Sequence, residues 1–284
     1  MAPHNVDYSD YPYNYYKNAR LNAGNPTKSQ NKNPTNIMSA NKVILVTGSN
    51  GGIGHELVKL LAAKGHTVYL ASRGEKAGLE AVEAIKKEND KFVQLDITDI
   101  KSVEAAAAKI KSAEGRLDVL VNNAGIAKME IPHSAVEPNF DAIRATFETN
   151  LIGTMQTTIT FLPLLRAAST PDAPAVIVNV STDMSSNTVM SSGKEAFRHK
   201  FVAYNTSKAA QNSYTIALAH ELSAEGIKVN AVTPGFTSTK LTGFGAAGGA
   251  KTSTQGAEII LPWCLLGKDG QTGTFNAEGG SYAW

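Results

Sequence analysis

Tyr204 and Lys208 are the two residues whose types and spacing could do chemistry. They lie four positions apart in a segment with helical apolar spacing, so both side chains project from one face of one helix. A phenol with an ordinary pKa of about 10 could donate a proton near neutral pH if an adjacent ammonium group lowered that pKa. At about 5 Å and an effective dielectric constant of about 20, one positive charge supplies roughly 3 kcal/mol, enough to lower the pKa by about two. The same pair is common on ordinary surface helices, so a catalytic role needs a second signal.

That second signal is a glycine-rich stretch, TGSNGGIG at residues 47–54, which directly follows an apolar run at 43–46. Glycines at 48, 52 and 54 permit a tight turn and let a large ligand approach the backbone closely. A helix starting near residue 52 would present free backbone amides and the positive end of its dipole to that ligand. Strand, turn and helix in this order predict a binding site for the pyrophosphate of a dinucleotide.

Further motifs follow the glycine turn in a fixed order along the chain. They are Asp96 in LDITD, NNAG at 122–125, TNLIG at 149–153, VNVST at 178–182, YNTSK at 204–208 and VTPGF at 232–236. Together with the turn, they resemble the short-chain dehydrogenase/reductase family from about residue 41 to the end of the chain. The glycine-rich ending FNAEGGSYAW is similar to the carbonyl-reductase-like members in particular. The resemblance implies reduction of an aldehyde or ketone by hydride transfer, with Tyr204 as the general acid.

The resemblance also implies four catalytic residues, Asn150, Thr182, Tyr204 and Lys208. Lys208 would additionally bind the nicotinamide ribose, and Asn150 would hold a water molecule that links the lysine to solvent. The family usually has Asn-x-Ser-Ser where this chain has Asn-Val-Ser-Thr at 179–182, so the residue that polarises the substrate carbonyl is Thr182, with Ser181 as the alternative. A threonine hydroxyl can donate the same hydrogen bond, although its methyl group narrows the pocket.

A set of cofactor contacts follows from the glycine turn and from the resemblance. Besides Tyr204 and Lys208, the residues expected to contact the dinucleotide are Gly48, Ser49, Asn50, Gly52, Ile53, Gly54, Arg73, Asp96, Ile97, Asn123, Ala124, Gly125, Pro234, Gly235, Thr237 and Thr239. The resemblance implies that Asp96 and Ile97 flank the adenine and that residues 123–125 line the adenosine side. Pro234, Gly235, Thr237 and Thr239 would hold the nicotinamide.

The end of the second predicted strand bears on the choice between NAD and NADP. It has the sequence LASR at 70–73, without a carboxylate that could bind the ribose 2'-hydroxyl. The planar guanidinium of Arg73 suits a 2'-phosphate, so we expect NADP(H) as the cofactor. Glu75 close by keeps an NAD-linked alcohol dehydrogenase open as an alternative. A catalytically weak NADP(H)-binding regulatory protein that kept the fold is a second alternative.

Short apolar runs alternate with longer helical patterns from Lys42 onward, which predicts a parallel sheet with right-handed crossover helices. Strands are predicted at 43–47, 67–71, 91–95, 118–122, 175–181, 227–232 and 272–276. Helices are predicted near 52–64, 75–88, 100–114, 139–169, 203–224 and 254–266. We therefore expect a single α/β domain at 41–284, a doubly wound Rossmann fold with a mostly parallel seven-stranded sheet and helices on both faces.

The composition excludes several function classes. The chain has 284 residues, a net charge of +2 and no apolar stretch long enough to span a bilayer, so neither a membrane nor a nucleic acid is an expected partner. The single cysteine, Cys264, fits a reducing compartment, and we expect a cytoplasmic protein. The six histidines lack zinc-site spacing, so no metal is predicted. The expected partner is a small, neutral carbonyl substrate, and a monomer and a homo-oligomer are both open.

Three segments fall outside the family's usual pattern or shape the substrate pocket. Residues 1–40 hold five of the nine tyrosines and little apolar periodicity, so we expect an extension that is disordered or loosely docked, with a tyrosine-mediated partner contact as the alternative. The segment between Thr182 and Tyr204 is longer than the family's usual spacing. The glycine- and alanine-rich stretch after Pro234 is expected to be either a mobile lid or a flexible surface loop.

Overall fold

The computed structural model describes residues 41–85, 90–131, 134–193, 196–241 and 249–284. The predicted extension at 1–40, part of the stretch after Pro234 and the end of the second predicted helix lie outside the described residues.

One sheet of eight strands forms the centre of the described domain. The strands are β1 (Val43–Val46), β2 (Thr67–Ser72), β3 (Asp90–Gln94), β4 (Val119–Asn122), β5 (Val176–Val180), β6 (Lys228–Val232), β7 (Phe275–Ala277) and β8 (Gly280–Tyr282). Their order is β3-β2-β1-β4-β5-β6-β7-β8. All neighbouring pairs from β3 to β7 are parallel, and β8 alone runs antiparallel to its neighbour β7. This is the predicted doubly wound, mostly parallel Rossmann topology.

The predicted strand number of seven is wrong by one. The segment that we expected to form one strand at 272–276 is followed by a hairpin, and β8 adds an antiparallel edge to β7. Ser281 on β8 is exposed and pairs with Asn276, so this edge strand lacks the apolar run that marks the buried parallel strands.

Eight α-helices connect and cover the described strands. They are α1 (Gly52–Ala63), α2 (Glu75–Ile85), α3 (Ile100–Glu114), α4 (Phe140–Phe147), α5 (Thr154–Ala168), α6 (Asn187–Ser191), α7 (Val202–Leu222) and α8 (Ser253–Cys264). The predicted long helix at 139–169 is two helices, α4 and α5, joined by a π-helical turn at Glu148–Gly153. The wider turn brings Gly153 so close to Ile97 that a Cβ on the glycine would lie 2.9 Å from the Ile97 carbonyl oxygen.

Helices cover both faces of the sheet, as predicted. On one face, Leu45 and Leu120 of the strands pack in a core with Phe161 of α5 and Leu218 of α7. On the other face, a second core joins residues of the same strands to α1 and α8, and it includes Cys264. Because the strands are buried on both sides, they appear in the sequence as short, nearly continuous apolar runs. Cys264 acts as a packing residue in this core. Its burial raises the pKa of its thiol, so the reactive thiolate is disfavoured.

Within the described ranges, no helix combines the length and the apolar character needed to cross a membrane.

Candidate active site

The predicted site residues gather at one edge of the sheet. Parallel strands share the direction of their carboxyl ends, so the segments that follow β1, β4, β5 and β6 emerge side by side. These segments are the glycine turn, the NNAG segment, Ser181-Thr182 and the loop that begins at Thr233. α7 contacts β5 and β6 and brings Tyr204 and Lys208 to the same edge.

Two glycines of the turn have positive φ and differ in how closely other segments pack against them. Gly48 has φ of +60°, and a Cβ there would lie 2.7 Å from the Cα of Ala124, so this position holds the turn against the NNAG segment. Gly52 also has a positive φ, of +57°, but the nearest atom to a Cβ there would be Thr239 Cγ2 at 3.6 Å. α1 begins at Gly52 without a side-chain cap, which leaves its first amides for an anion.

Hydrogen bonds fix the turn to its neighbours. The Thr47 hydroxyl accepts from the amides of Asn123 and Ala124, both at 3.0 Å. The Asn123 side chain donates in return to the carbonyl oxygens of Thr47 and Gly48. Thr47 is a positioning residue that our predicted set omitted, although its place at the start of the TGSNGGIG motif was a signal.

Ser49 belongs to the predicted cofactor contacts, but its hydrogen bonds are made within the protein. It is fully buried, its hydroxyl donates to the Val46 carbonyl at 2.7 Å and accepts from the Ala71 amide at 3.0 Å, and its own amide donates to the Ala71 carbonyl. With these groups already bonded, Ser49 joins the turn to β2, and its hydroxyl and amide are not available to a ligand. Asn50 is exposed at the turn and Ile53 is partly exposed in the first turn of α1.

The residues predicted for the adenosine end lie beyond β2 and β3. Arg73 is exposed directly after β2, and the structure places no carboxylate in an ion pair with it across the described ranges. Asp96 follows β3, where its carboxylate accepts from the amide and the hydroxyl of Thr98 at 3.0 and 2.7 Å. Ile97 is buried, and its carbonyl oxygen accepts from the Gln156 side chain of α5. These contacts leave the Arg73 guanidinium as the charged group at this end.

The residues predicted for the nicotinamide end form a loop after β6. Pro234 is buried, and Gly235 follows with φ of +71°. The Thr237 hydroxyl donates to the Gly235 carbonyl at 3.1 Å, which holds the loop in a tight bend. Thr239 lies close to Gly52, with its Cγ2 3.6 Å from the place of a Cβ on that glycine. The loop and the glycine turn therefore border the same candidate cleft.

Tyr204 and Lys208 lie on the buried face of α7, with 7% and 3% of their surfaces exposed. The Lys208 ammonium donates to the Val180 carbonyl at 2.8 Å and to Gln211 Oε1 at 3.0 Å. A Cβ on Gly125 would lie 3.7 Å from Lys208 Nζ, so the ammonium group also lies beside the NNAG segment. Gln211 was not among the predicted site residues.

The Thr182 hydroxyl lies beside the Tyr204 hydroxyl, where it lowers the pKa of the phenol. Thr182 follows β5, is partly exposed, and accepts a hydrogen bond from the Met184 amide at 3.4 Å. Because its oxygen accepts from Met184, its own hydrogen remains for an acceptor in the cleft. Ser181, in contrast, donates to Asn212 Oδ1 at 2.7 Å and is buried against α7. The geometry therefore brings Thr182 to the tyrosine and keeps Ser181 away from it, as strand alternation requires.

The predicted effect of Lys208 on Tyr204 is wrong. We expected the ammonium group to lower the pKa of the phenol, but burial and the Asp183 carboxylate raise the pKa of Tyr204, and the nearby Thr182 hydroxyl only partly offsets them. Burial also lowers the pKa of Lys208, to about 7. The physical reason is that both side chains are withdrawn from water, and that desolvation favours the neutral form of each.

Asp183 is a third residue that sequence reasoning missed. Its carboxylate accepts from the Thr233 hydroxyl at 2.6 Å and pairs with the Arg198 guanidinium at 3.5 Å. Arg198 belongs to the long segment between Thr182 and Tyr204, so this pair fastens that segment to the ends of β5 and β6. The role of Asp183 becomes visible only in its pairing with Arg198, which a single sequence does not display.

Asn150 lies fully buried in the π-helical turn. Its Oδ1 accepts from the Ile126 amide at 2.9 Å, and its Nδ2 donates to the Ile126 carbonyl at 2.8 Å and to Ser207 Oγ at 3.0 Å. The side chain thus joins the segment after β4 to α7. Its backbone carbonyl accepts from Thr154 Oγ1 at 2.9 Å. The water molecule that we expected on Asn150 stays a prediction.

The side chains described by the structure include no group of three or more His, Cys, Asp or Glu placed to hold a metal ion.

Comparison with known proteins agrees with this geometry. Residues 42–247 match the family model of the short chain dehydrogenases, and the chain belongs to that family. The protein is thus an oxidoreductase of the dehydrogenase and reductase kind, with the fold and the cleft through which this family binds NAD(P).

Among curated relatives, a (+)-neomenthol dehydrogenase of Capsicum annuum is 29% identical, over 84% of this chain and 96% of that protein. Short-chain dehydrogenase/reductase 1 of Saponaria officinalis is 32% identical, over 73% of this chain and 85% of that protein. Among solved structures, the NADPH-bound carbonyl reductase from chicken fatty liver has a TM-score of 0.76 and 27% identity, over 86% of this chain and 94% of that chain.

Proposed function

We propose that this protein is an NADPH-dependent carbonyl reductase that converts a neutral aldehyde or ketone to an alcohol, with Tyr204 as the proton donor. The observation that carries the proposal is the convergence of two hydroxyls, of Thr182 and Tyr204, at the edge of the sheet where Lys208 contacts the end of β5 and the NNAG segment. Two hydroxyl donors converging on one point suit a carbonyl oxygen that gains negative charge.

The cleft fits a dinucleotide on two observations. The uncapped first turn of α1 suits a pyrophosphate, and Arg73 at the end of β2 suits a 2'-phosphate. When bound, the reduced nicotinamide supplies the hydride. The likeness to an NADPH-bound carbonyl reductase supports the choice of NADPH.

Residues of the protein would orient the substrate, donate the proton and hold the cofactor. Thr182 and Tyr204 donate hydrogen bonds to the substrate oxygen and orient the carbonyl group. As the oxygen becomes an alkoxide, the Tyr204 hydroxyl gives it a proton while Thr182 remains a donor. Lys208, held by Val180, places a cation beside Gly125 where the ribose of the nicotinamide would lie. Asn150 keeps the segment after β4 in register with α7.

The raised pKa of Tyr204 is consistent with reduction. A general acid must be protonated before the step, and a raised pKa keeps the phenol protonated throughout the neutral range. An alkoxide is more basic than a phenolate, so the transfer remains favourable without the lowering that we first expected. Oxidation of an alcohol would need the phenolate, which burial and Asp183 disfavour.

The proposed substrate is neutral because the arginine of the segment before α7 is already paired with a carboxylate. Arg198, from the segment before α7, is engaged by Asp183 and has only a small exposed fraction. Thr182 and Tyr204 offer hydrogen bonds but no net charge. A keto acid would have to place its carboxylate near Asp183, where like charges repel.

The test is oxidation of NADPH and NADH with a panel of neutral aldehydes, ketones, diketones and quinones, and with keto acids as charged controls. We expect turnover with neutral carbonyls and a kcat/KM that is at least about tenfold higher with NADPH than with NADH. Arg73→Ala should remove most of that preference, whereas Arg144→Ala, an exposed arginine on α4, should leave it intact.

Two results would contradict the proposal. A preference for NADH that is insensitive to Arg73→Ala would indicate the NAD-linked alternative. An inert panel with intact NADPH binding would indicate a regulatory nucleotide-binding protein.

A further inference from the structure

Gln211 lies one turn beyond Lys208 on α7 and is fully buried. Its Oε1 accepts from Lys208 Nζ at 3.0 Å, and its Nε2 donates to Thr154 Oγ1 at 3.0 Å. Thr154 in turn donates to the carbonyl oxygen of Asn150 at 2.9 Å. A continuous chain of three hydrogen bonds therefore runs from the lysine to the π-helical turn.

All three hydrogen bonds of this chain point in one direction. Lys208 donates to Gln211, Gln211 donates to Thr154, and Thr154 donates to a backbone carbonyl that can only accept. Because the Thr154 hydrogen is used on Asn150, the threonine oxygen requires a donor, and Gln211 must present Nε2 to it. The amide oxygen of Gln211 is then held toward the ammonium group. The reverse orientation would set N–H groups against the lysine's own N–H donors.

The charge on Lys208 depends on few neighbours. No carboxylate within the described part of the chain forms an ion pair with it, and burial lowers its pKa to about 7. The other titratable groups at the site are Tyr204 on the same helix and Asp183 after β5, and the Asp183 carboxylate is bonded to Thr233 and Arg198. Two neutral oxygens, of Val180 and Gln211, are therefore the acceptors that stabilise the buried ammonium group.

We propose that Gln211 is a positioning residue for Lys208: its amide oxygen, oriented by Thr154, holds the ammonium group charged and directed at the end of β5 and the NNAG segment. The catalytic part of this role rests on the proposed function, because it requires that Lys208 serves carbonyl reduction. The effect of Gln211 on the lysine itself is a property of the folded protein.

The experiment is an NMR titration of full-length protein labelled with 13C at the lysine ε position, with the Lys208 signal assigned by its loss in Lys208→Arg. Gln211→Met removes the acceptor at similar volume, and Gln211→Glu keeps the acceptor and adds a negative charge. The matched control is Thr158→Val on α5, which removes a buried hydrogen bond with Asn122 and leaves the contacts of Lys208 intact.

We expect the midpoint of the Lys208 titration to fall by about one pH unit or more in Gln211→Met, since it loses a hydrogen bond to a charged group. In Gln211→Glu the midpoint should rise above that of wild type, because a carboxylate next to the ammonium favours its charged form. Thr158→Val should leave the midpoint unchanged. If the wild-type protein reduces carbonyls, kcat of Gln211→Met should be reduced at pH 7 and partly recovered at lower pH.

The proposal is overturned if neither Gln211 variant moves the midpoint, or if Thr158→Val moves it as much as Gln211→Met does. Should Gln211→Met fail to fold, the titration of Gln211→Glu alone decides the question. Expected midpoints together with no reduction of any carbonyl would uphold the role of Gln211 and reject the proposed function. Unchanged midpoints together with normal wild-type turnover would reject the role of Gln211 and uphold the proposed function.

Discussion

The hydroxyl of Thr182, directly after β5, lies beside the hydroxyl of Tyr204 on α7 and lowers the pKa of that phenol. This contact joins a strand end to a buried helix face, and it forms where the family's usual serine is replaced by threonine. The oxygen of Thr182 is occupied by the Met184 amide, so the hydroxyl acts as a donor. The methyl group of threonine restricts its rotation, which favours one direction for that donor.

Removal of the Thr182 donor should therefore lower activity strongly. We expect Thr182→Val to reduce kcat/KM for carbonyl reduction about 100-fold or more, which is typical of losing one donor to a developing oxyanion. Thr182→Ser keeps the hydroxyl and should keep most of the activity. Steady-state kinetics with NADPH measure both.

Ser181→Ala is the matched control for Thr182→Val. It removes hydrogen bonds to Ser185 and Asn212 that lie inside the protein, so it should lower the thermal midpoint with little effect on kcat/KM. A large loss of activity in Ser181→Ala, with Thr182→Val close to wild type, would reverse the assignment of the two residues.

The charge on Asp183 should control the ionisation of Tyr204. Its carboxylate raises the pKa of the phenol, so Asp183→Asn should make the phenolate form at a lower pH than in wild type. Arg198→Gln, which leaves that carboxylate without its guanidinium partner, should move the titration the opposite way. The measurement is the tyrosinate absorbance of each variant minus that of the same variant with Tyr204→Phe. Titrations that shift in the same direction in both variants would contradict this account.

Lys208 should make folding stability depend on pH above neutrality. Its pKa is lowered from 10.5 to about 7, so between these values the unfolded chain binds more protons than the folded protein does. Stability then rises with pH across that window and is independent of this group below it. The free energy of unfolding of wild type should therefore increase relative to that of Lys208→Met as the pH rises from 7 to about 9.5, below the usual tyrosine range. Urea denaturation at several pH values measures this difference, and a constant or decreasing difference would show that Lys208 stays protonated in the fold.

The two positive-φ glycines of the nucleotide turn should respond differently to alanine. Gly52→Ala meets no atom closer than 3.6 Å, so we expect a folded protein that loses about 1 kcal/mol from backbone strain but binds NADPH at least about tenfold more weakly. Gly48→Ala would place its Cβ 2.7 Å from the Ala124 Cα, and it should lose much more stability. Calorimetry for stability and fluorescence titration for NADPH distinguish the two effects. Wild-type affinity in Gly52→Ala would argue against a pyrophosphate at this turn.

The fold could be predicted closely because its strands are buried on both faces. Short apolar runs placed β1 to β6 within one or two residues, and helix α3 was predicted at its observed bounds, 100–114. β8 was not predicted because its three residues lie at an exposed edge and carry no apolar pattern. The break of the long helix at 148–153 was not predicted because apolar spacing continues through the π-helical turn, and the close approach of Gly153 to Ile97 is a long-range contact that the sequence does not display.

The candidate site could also be predicted only in part. Residues in contiguous motifs, such as Tyr204 and Lys208, could be found from spacing and family resemblance. Asp183 and Arg198 could not, because their importance comes from a pairing across the long segment before α7. The spacing of Lys208 and Gln211 was visible, but only burial shows that the glutamine oxygen serves the lysine. Burial is also why the predicted direction for the pKa of Tyr204 was wrong.

The most direct test of the central claim compares wild type with Tyr204→Phe, using NADPH and the best neutral carbonyl substrate. We predict that the variant binds NADPH with an affinity close to that of wild type, and that its kcat for reduction falls by about 100-fold to 10,000-fold, the range expected for loss of a general acid. A Tyr204→Phe enzyme that reduces the carbonyl at the wild-type rate would contradict the claim that this phenol donates the proton.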